Sequence, residues 1–317
     1  MIFPENRYKF SQNRVPNKKR TIFIIVIPAA VILAAVIFFL FFNNSRKVNL
    51  ISKEISPADS IYELWEQQSY SEIISITEEL LDKNPMDPQA LIFNGFSNFY
   101  EGAEKFTLEE KIQYIDRAVI SLRKAMLLKD PPYEEGIHYI LGKAYYHKGR
   151  FYTDLCIDYL EKALEDGYKG EDTFEYLGLA YSDLEKYEKS AEYFNTAAEI
   201  RPSDLLFITL AQTYFNLGDN IKAEEYLIRT INRTKDENLE EKSRFLLADI
   251  YKDRKEYIKA EDQYKRILAI NEKSADAHYY LGEIYDTMQD NVKARAEWRM
   301  SLKIDPSHYG AKLKLYN

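Results

Sequence analysis

EDTFEYLGLAYSDLEKYEKSAEYFNTAAEIRPS, residues 171–203, decides the fold. Leu177-Gly178 is followed by Tyr181, and the same cluster returns as Leu210-Ala211 with Tyr214, Leu247-Ala248 with Tyr251, and Leu281-Gly282 with Tyr285. The interval from one cluster to the next is nearly constant. A second cluster trails the first at a fixed offset. Ala223, Ala260 and Ala294 stand at one identical distance along the chain from Ala211, Ala248 and Gly282, and Leu227, Tyr264 and Trp298 follow about one helical turn later. Spacings of three, four and seven put these residues on one face of a helix. Polar or glycine breaks such as Asn216-Leu217-Gly218-Asp219 and His147-Lys148-Gly149-Arg150 separate two helices within each unit. Pro85, Pro202 and Pro306 close several units, because proline lacks an N–H and clashes with the preceding turn. A period of this length marks one helix–turn–helix element that cannot bury its apolar face alone, so the units must stack.

The residues Leu177, Gly178, Tyr181, Tyr187, Phe194, Ala197 and Pro202 resemble the tetratricopeptide repeat (TPR) pattern, a helix–turn–helix unit of about 34 residues. The resemblance implies an all-α solenoid, a right-handed superhelix of paired helices. It covers residues 54 to 317. Seven units are expected, at 54–87, 88–134, 135–170, 171–203, 204–240, 241–274 and 275–308, with 309–317 as a C-terminal cap. The second unit departs most. The interval from Gly95 to Ala118 is nearly twice that from Ala211 to Ala223, so the segment around Glu101–Lys111 reads as an insertion. The third carries two extra residues near Phe151–Leu155.

Residues 1–53 are not repeat. Thr21–Phe42 is an unbroken run without a charge, composed mostly of Ile, Leu, Val and Phe. At 1.5 Å per residue it reaches about 33 Å, the thickness of a bilayer core. At roughly 0.3–0.6 kcal/mol per residue, these side chains favour insertion by about 5–10 kcal/mol. The run lacks a polar face, unlike a core helix, and no small-residue cleavage site follows it. It reads as an uncleaved transmembrane helix, followed by a linker at 43–53. Residues 1–20 carry six cations against Glu5. The positive-inside rule then places 1–20 in the cytoplasm and the repeats outside, in the periplasm of a bacterium. The expected location is the cytoplasmic (inner) membrane, crossed once.

The chain carries a net charge of −8, so an acidic stack follows a basic head and nucleic acid is not an expected partner. The single cysteine, Cys156, occupies the register of Ala223 and Ala260, where a small buried side chain is required. His138, His147, His278 and His308 show no metal-binding spacing and are expected on the groove or surface. No catalytic set, cofactor motif, metal site or small-molecule substrate is expected, and the chain does not read as an enzyme.

Family resemblance also implies where a partner sits. The first helix of each unit lines the concave face, and its lining positions become Phe96, Phe99 and Tyr100 in the second unit. In the third they are Tyr139, Lys143, Tyr146 and His147; in the fifth, Ile208, Gln212, Phe215 and Asn216. Farther on they are Asp249, Lys252, Asp253, Asp276, Glu283 and Asp286. The groove is thus expected to be aromatic at one end and acidic at the other. Aromatic side chains bury large area with few rotors and make good anchors for a protein or peptide. Phe96 and Phe99 serve equally well as groove or as inter-repeat contacts, whereas Tyr139 and Tyr146 read as partner-facing.

The expected function is that of a membrane-anchored scaffold for protein–protein interactions in a bacterial envelope assembly. The layout is similar to anchored TPR subunits of a periplasmic flagellar collar. It is also similar to single-span factors for secretion or envelope chaperoning. Regulation of a cell-wall enzyme is a further reading. With reversed topology, the chain reads as an organelle import receptor with cytosolic repeats.

Overall fold

A computed structural model describes residues 57–168 and 170–316, and the apolar run at 21–42 lies outside them. Among the described residues no helix is long and apolar enough to cross a membrane. The chain divides into two compact units at Gln67/Gln68. In the first, α1 spans Pro57–Glu66. The second unit is a succession of helices: α2 (Tyr70–Lys83), α3 (Pro88–Ala103), α4 (Leu108–Ala125), α5 (Glu134–His147), α6 (Thr153–Glu165), α7 (Thr173–Asp183) and α8 (Tyr187–Ile200). They continue as α9 (Asp204–Leu217), α10 (Asn220–Arg233), α11 (Glu237–Asp253), α12 (Tyr257–Ile270), α13 (Ala275–Thr287), α14 (Asn291–Ile304) and α15 (Tyr309–Tyr316). All regular structure among the described residues is helical.

Six pairs form the second unit's body: α3 with α4, α5 with α6, α7 with α8, α9 with α10, α11 with α12, and α13 with α14. Each second helix packs on the first helix of the next pair, and α15 packs on α14. First helices also touch their successors, α3 on α5, α5 on α7 and α9 on α11. Such sequential stacking places the turns inside pairs along one edge and the connections between pairs along the other.

What closes each pair is a small residue facing a large one. A Cβ added at Gly178 would sit 2.5 Å from the Phe194 ring; at Gly282 it would sit 2.5 Å from Trp298, and at Gly142 2.5 Å from Leu160. Gly95 faces Leu122 in the same way. Ala211 and Leu227, and Ala248 and Tyr264, hold the same register, and all four are fully or almost fully buried. Phe194, Phe207, Phe245 and Tyr264 are buried within the stack, each contributing on the order of 2–3 kcal/mol by removal from water. Cys156 is fully buried in the alanine register, and burial pushes its thiol up to about 12.

Helix starts follow local chemistry. Asp87 accepts a hydrogen bond from the Ala90 amide ahead of Pro88, and Ser203, Asp219, Asp236, Ser274 and Asp290 cap α9, α10, α11, α13 and α14 in the same manner. Within the turns, Gly149 (φ 98°) and Gly218 (φ 83°) take positive φ, which glycine adopts freely.

The extra residues of the second pair do not form a loop. They lengthen the helices, leaving a connection of only Glu104–Thr107. The start of α4 at Leu108 lies about four helical turns ahead of Leu122, whereas α8, α10, α12 and α14 start about two turns ahead of their large residues. The α3–α4 turn therefore stands about 10 Å beyond its neighbours. The extra residues of the third pair form a 3-10 turn at Arg150–Tyr152. α11 begins at Glu237, ahead of the expected unit start at 241, because Asp236 supplies its cap.

Ala223→Leu or Ala260→Leu places a branched side chain at a fully buried position between paired helices. Each should cost about 1–3 kcal/mol in denaturant unfolding of the purified chain, as overpacking forces the helices apart. An unchanged midpoint in both variants contradicts this register.

Candidate functional site

The aromatic end of the expected groove is built by α3, α5, α7 and the connection after α6. Lys143 lies at its centre, 7% exposed. Its ammonium sits 4.8 Å from the Tyr139 ring, 4.8 Å from Tyr176 and 5.4 Å from Phe99. It donates to Asp172 Oδ2 at 2.8 Å and to the Tyr139 hydroxyl at 2.9 Å. The Tyr139 hydroxyl in turn donates to Asp172 Oδ1 at 2.5 Å. A lysine this buried requires such partners, since an unpaired buried charge is costly. Burial and the Asp172 carboxylate push the Tyr139 phenol well above its ordinary range.

This arrangement corrects the expectation for Tyr139. It is 5% exposed, and Tyr168 stacks on its ring at 4.3 Å, so its surface is taken up inside the protein. The connection after α6 supplies both Tyr168 and Asp172, residues of the next layer that periodicity did not assign to the groove. Phe99, 2% exposed, likewise resolves as an inter-repeat contact. Lys143 is held rather than offered. Of the remaining candidates, Phe96, Tyr100, Tyr146 and Phe215 are partly exposed and Asn216 is exposed. Tyr100 stacks on Tyr70 at 5.2 Å, and burial pushes its phenol up to about 12. Tyr146 meets Tyr176 edge-on at 5.3 Å. Asn216 accepts from Gln212 at 3.0 Å, and both it and Phe215 sit at the C-terminal end of α9, away from the Lys143 cluster.

His147 joins the Lys143 cluster through a 3.3 Å contact between its Nε2 and the Tyr176 hydroxyl. Burial, with Lys111 and Lys143 nearby, lowers its pKa to about 4. Of the other histidines, His138 departs from the groove-or-surface expectation, while His278 and His308 keep partial exposure. His138 is fully buried and contacts Asp166 at 2.6 Å; His278 pairs with Glu297 at 2.6 Å and His308 with Asp276 at 3.1 Å.

The far end is less acidic than its sequence suggested. Asp249 pairs with Lys252 at 2.9 Å, and Lys314 from α15 reaches Glu283 at 3.0 Å and Asp286 at 3.5 Å. A cation after the last pair neutralises acids of the first helix before it, a pairing that spacing within one unit cannot reveal. Among the described residues no group of three or more His, Cys, Asp or Glu side chains is placed to hold a metal ion.

Residues 177–204 and 206–236 match the family profile described as Tetratricopeptide repeat. The chain superposes on the C-terminal part of a TPR repeat-containing protein from Cytophaga hutchinsonii, with a TM-score of 0.62, 18% identity, and coverage of 82% of this chain and all of that one. The fold is a tetratricopeptide-repeat solenoid. A TPR repeat-containing protein of Methanocaldococcus jannaschii is 31% identical over 170 residues, 52% of this chain and 29% of that protein. The chain thus spans under a third of the length of that curated relative.

In this TPR solenoid the Lys143 cluster gives two measurable consequences. Asp172→Asn removes the counter-charge of a buried ammonium and should cost about 3 kcal/mol, the low end for a broken buried pair because Asp172 is partly exposed. Lys143→Met should cost less, since Asp172 keeps the Tyr139 hydroxyl and access to water. Denaturant unfolding of the two variants checks the order, and the reverse order contradicts it.

His147 gives a pH dependence. Its folded pKa lies below the ordinary value of 6.5, so between about 6.5 and 4 the unfolded chain takes a proton that the folded chain refuses. Stability from this site is complete above pH 6.5 and falls as the pH drops toward 4, by at most about 3 kcal/mol. His147→Asn should flatten that part of the stability profile relative to the unaltered chain. Parallel profiles for the two chains contradict the assignment.

Proposed function

We propose that this chain is a membrane-anchored scaffold whose TPR stack binds a protein partner of a bacterial envelope assembly. Residues 21–42 form the anchor in this reading, residues 1–20 are cytoplasmic and the repeats are periplasmic. The observation that carries it is the division among groove positions. Phe99, Tyr139 and Lys143 are locked together and, through Asp172 and Tyr176, hold three layers in register, while Phe96, Tyr100, Tyr146, Phe215 and Asn216 keep surface exposed on the first helices. Rigid support beneath accessible aromatics suits protein recognition, because little rotamer freedom remains to be lost on binding. Tethering adds a high effective concentration toward partners in the same membrane.

A periplasmic flagellar collar is the assembly we assign, on the layout of one apolar run followed by a repeat stack. Loss of motility with normal secretion in a deletion strain supports that assignment. The opposite result reassigns the chain to secretion or envelope chaperoning.

Cross-linking in intact cells followed by membrane solubilisation and pulldown tests the groove. Tyr146→Ala combined with Phe215→Ala should lower partner recovery while the chain remains folded, whereas Tyr139→Ala should act chiefly by lowering the melting temperature. Equal recovery by the unaltered chain and the Tyr146/Phe215 variant contradicts the groove reading. Digestion of the repeats by protease added from the cytoplasmic side contradicts the topology.

A further inference from the structure

The edge of the stack formed by the turns inside the helix pairs carries a recurring exposed apolar side chain. Phe106 is fully exposed, Phe151 is 91% exposed, Ile221 and Ile258 are each 75% exposed, and Val292 is 82% exposed. Each stands at the turn of its own pair, and each has a cation as its immediate neighbour in sequence: Lys105, Arg150, Lys222, Lys259 and Lys293. Ile221, Ile258 and Val292 occupy one register, two residues before Ala223, Ala260 and Ala294. The fourth unit holds Glu188 at that register, so the site accepts a charged residue. A β-branched side chain near the start of a helix gains no burial at this exposure and is not favoured by helix propensity. Three in succession give this edge a repeated exposed apolar side chain.

We propose that this edge rests on a lipid surface, with the apolar tips entering the headgroup region and the adjacent cations meeting lipid phosphates. The proposal rests on the reading of residues 21–42 as a membrane anchor, which leaves only residues 43–56 before α1 and keeps the repeats within reach of the bilayer. Protein interfaces bury a contiguous packed core, whereas these tips are separated by the spacing of stacked helices, roughly 10 Å. Isolated apolar tips paired with cations suit a fluid interface, where each finds acyl chain or phosphate independently. The cations themselves sit in ion pairs along this edge: Lys105 with Glu101 at 2.5 Å, Arg150 with Glu185 at 3.3 Å, Lys222 with Asp219 at 3.6 Å, Lys259 with Glu256 at 2.5 Å and Lys293 with Asp290 at 2.7 Å. Exposed pairs of this kind contribute little, so a lipid phosphate competes with the carboxylate for the cation. The projecting α3–α4 turn puts Phe106 foremost.

Site-directed spin labelling of the full chain, reconstituted in vesicles of phosphatidylethanolamine and phosphatidylglycerol, tests this. Single cysteines replace Phe106, Phe151, Ile221, Ile258 or Val292, with comparison sites at Lys129, Glu171, Lys235 and Lys273 on exposed connections between pairs. The unaltered chain serves as the labelling blank, since Cys156 is buried. Labels on the turn edge should collide with membrane-dissolved oxygen more often than with a water-soluble nickel chelate, and the comparison labels should show the reverse. Water-like collisions at every turn site, or turn labels shielded from both reagents as by a protein partner or a second copy, overturn the proposal. Alkaline extraction of the same vesicles reads the anchor separately. A chain that resists extraction while its turn labels face water keeps the anchor and loses the edge. A chain that is extracted at alkaline pH, yet shows lipid contact at the turns before extraction, keeps the edge and loses the anchor.

Discussion

Close approach of two helices at one small residue is the constraint on which the rest of the stack depends. Gly178 lies against the Phe194 ring, Gly282 against Trp298, and Gly95 and Gly142 against Leu122 and Leu160. Where the first helix offers almost no side chain, the second can lay a large one directly on its backbone. That contact sets the distance within a pair and aims the remaining apolar side chains toward the next pair. An isolated pair would leave those side chains in water, so the energetic unit is the neighbouring couple rather than the repeat.

Between pairs, a second device recurs. Tyr181, Tyr251 and Tyr285 are buried, and their hydroxyls donate to Glu161, Glu224 and Glu261 on the preceding second helix at 2.7, 2.8 and 2.9 Å. Tyr214 instead accepts from Asn195 at 2.7 Å. A lysine eight residues later covers each ring: Lys189, Lys222, Lys259 and Lys293 lie 4.8–5.1 Å from the ring centres. The tyrosine thus ties three elements, its own helix, the previous one and the next. These four tyrosines are packing residues, with their rings unavailable for recognition.

The fold was legible because one small–large spacing is written directly in the chain. It recurs unchanged at Gly178 and Phe194, Ala211 and Leu227, Ala248 and Tyr264, and Gly282 and Trp298, and the extra residues of the second and third units only widen it. The alanine register of Cys156 was readable for the same reason. The candidate site was only partly legible. Periodicity located Tyr139, Lys143 and Phe99 on the first helices, but their burial is decided by Tyr168 and Asp172, which lie in a connection without periodicity. The acidic end is partly neutralised by Lys314, which belongs to α15, beyond the last full pair. His138 was expected nearer the surface, and its pairing with Asp166 spans a whole helix pair. In each case the deciding partner lies outside the first helix, so the periodicity of one helix face does not contain it. The apolar run at 21–42 is a sequence feature outside the described residues, and its role stands as a proposal.

The most direct measurement of the central constraint is a double-mutant cycle at Gly178 and Phe194, read by denaturant unfolding of the purified chain. Gly178→Ala should destabilise the unaltered protein, because the ring has nowhere to go. In a Phe194→Leu background the same change should cost much less, giving a coupling on the order of 1–3 kcal/mol. Additive effects of the two substitutions would contradict the claim that this contact fixes the helix pair.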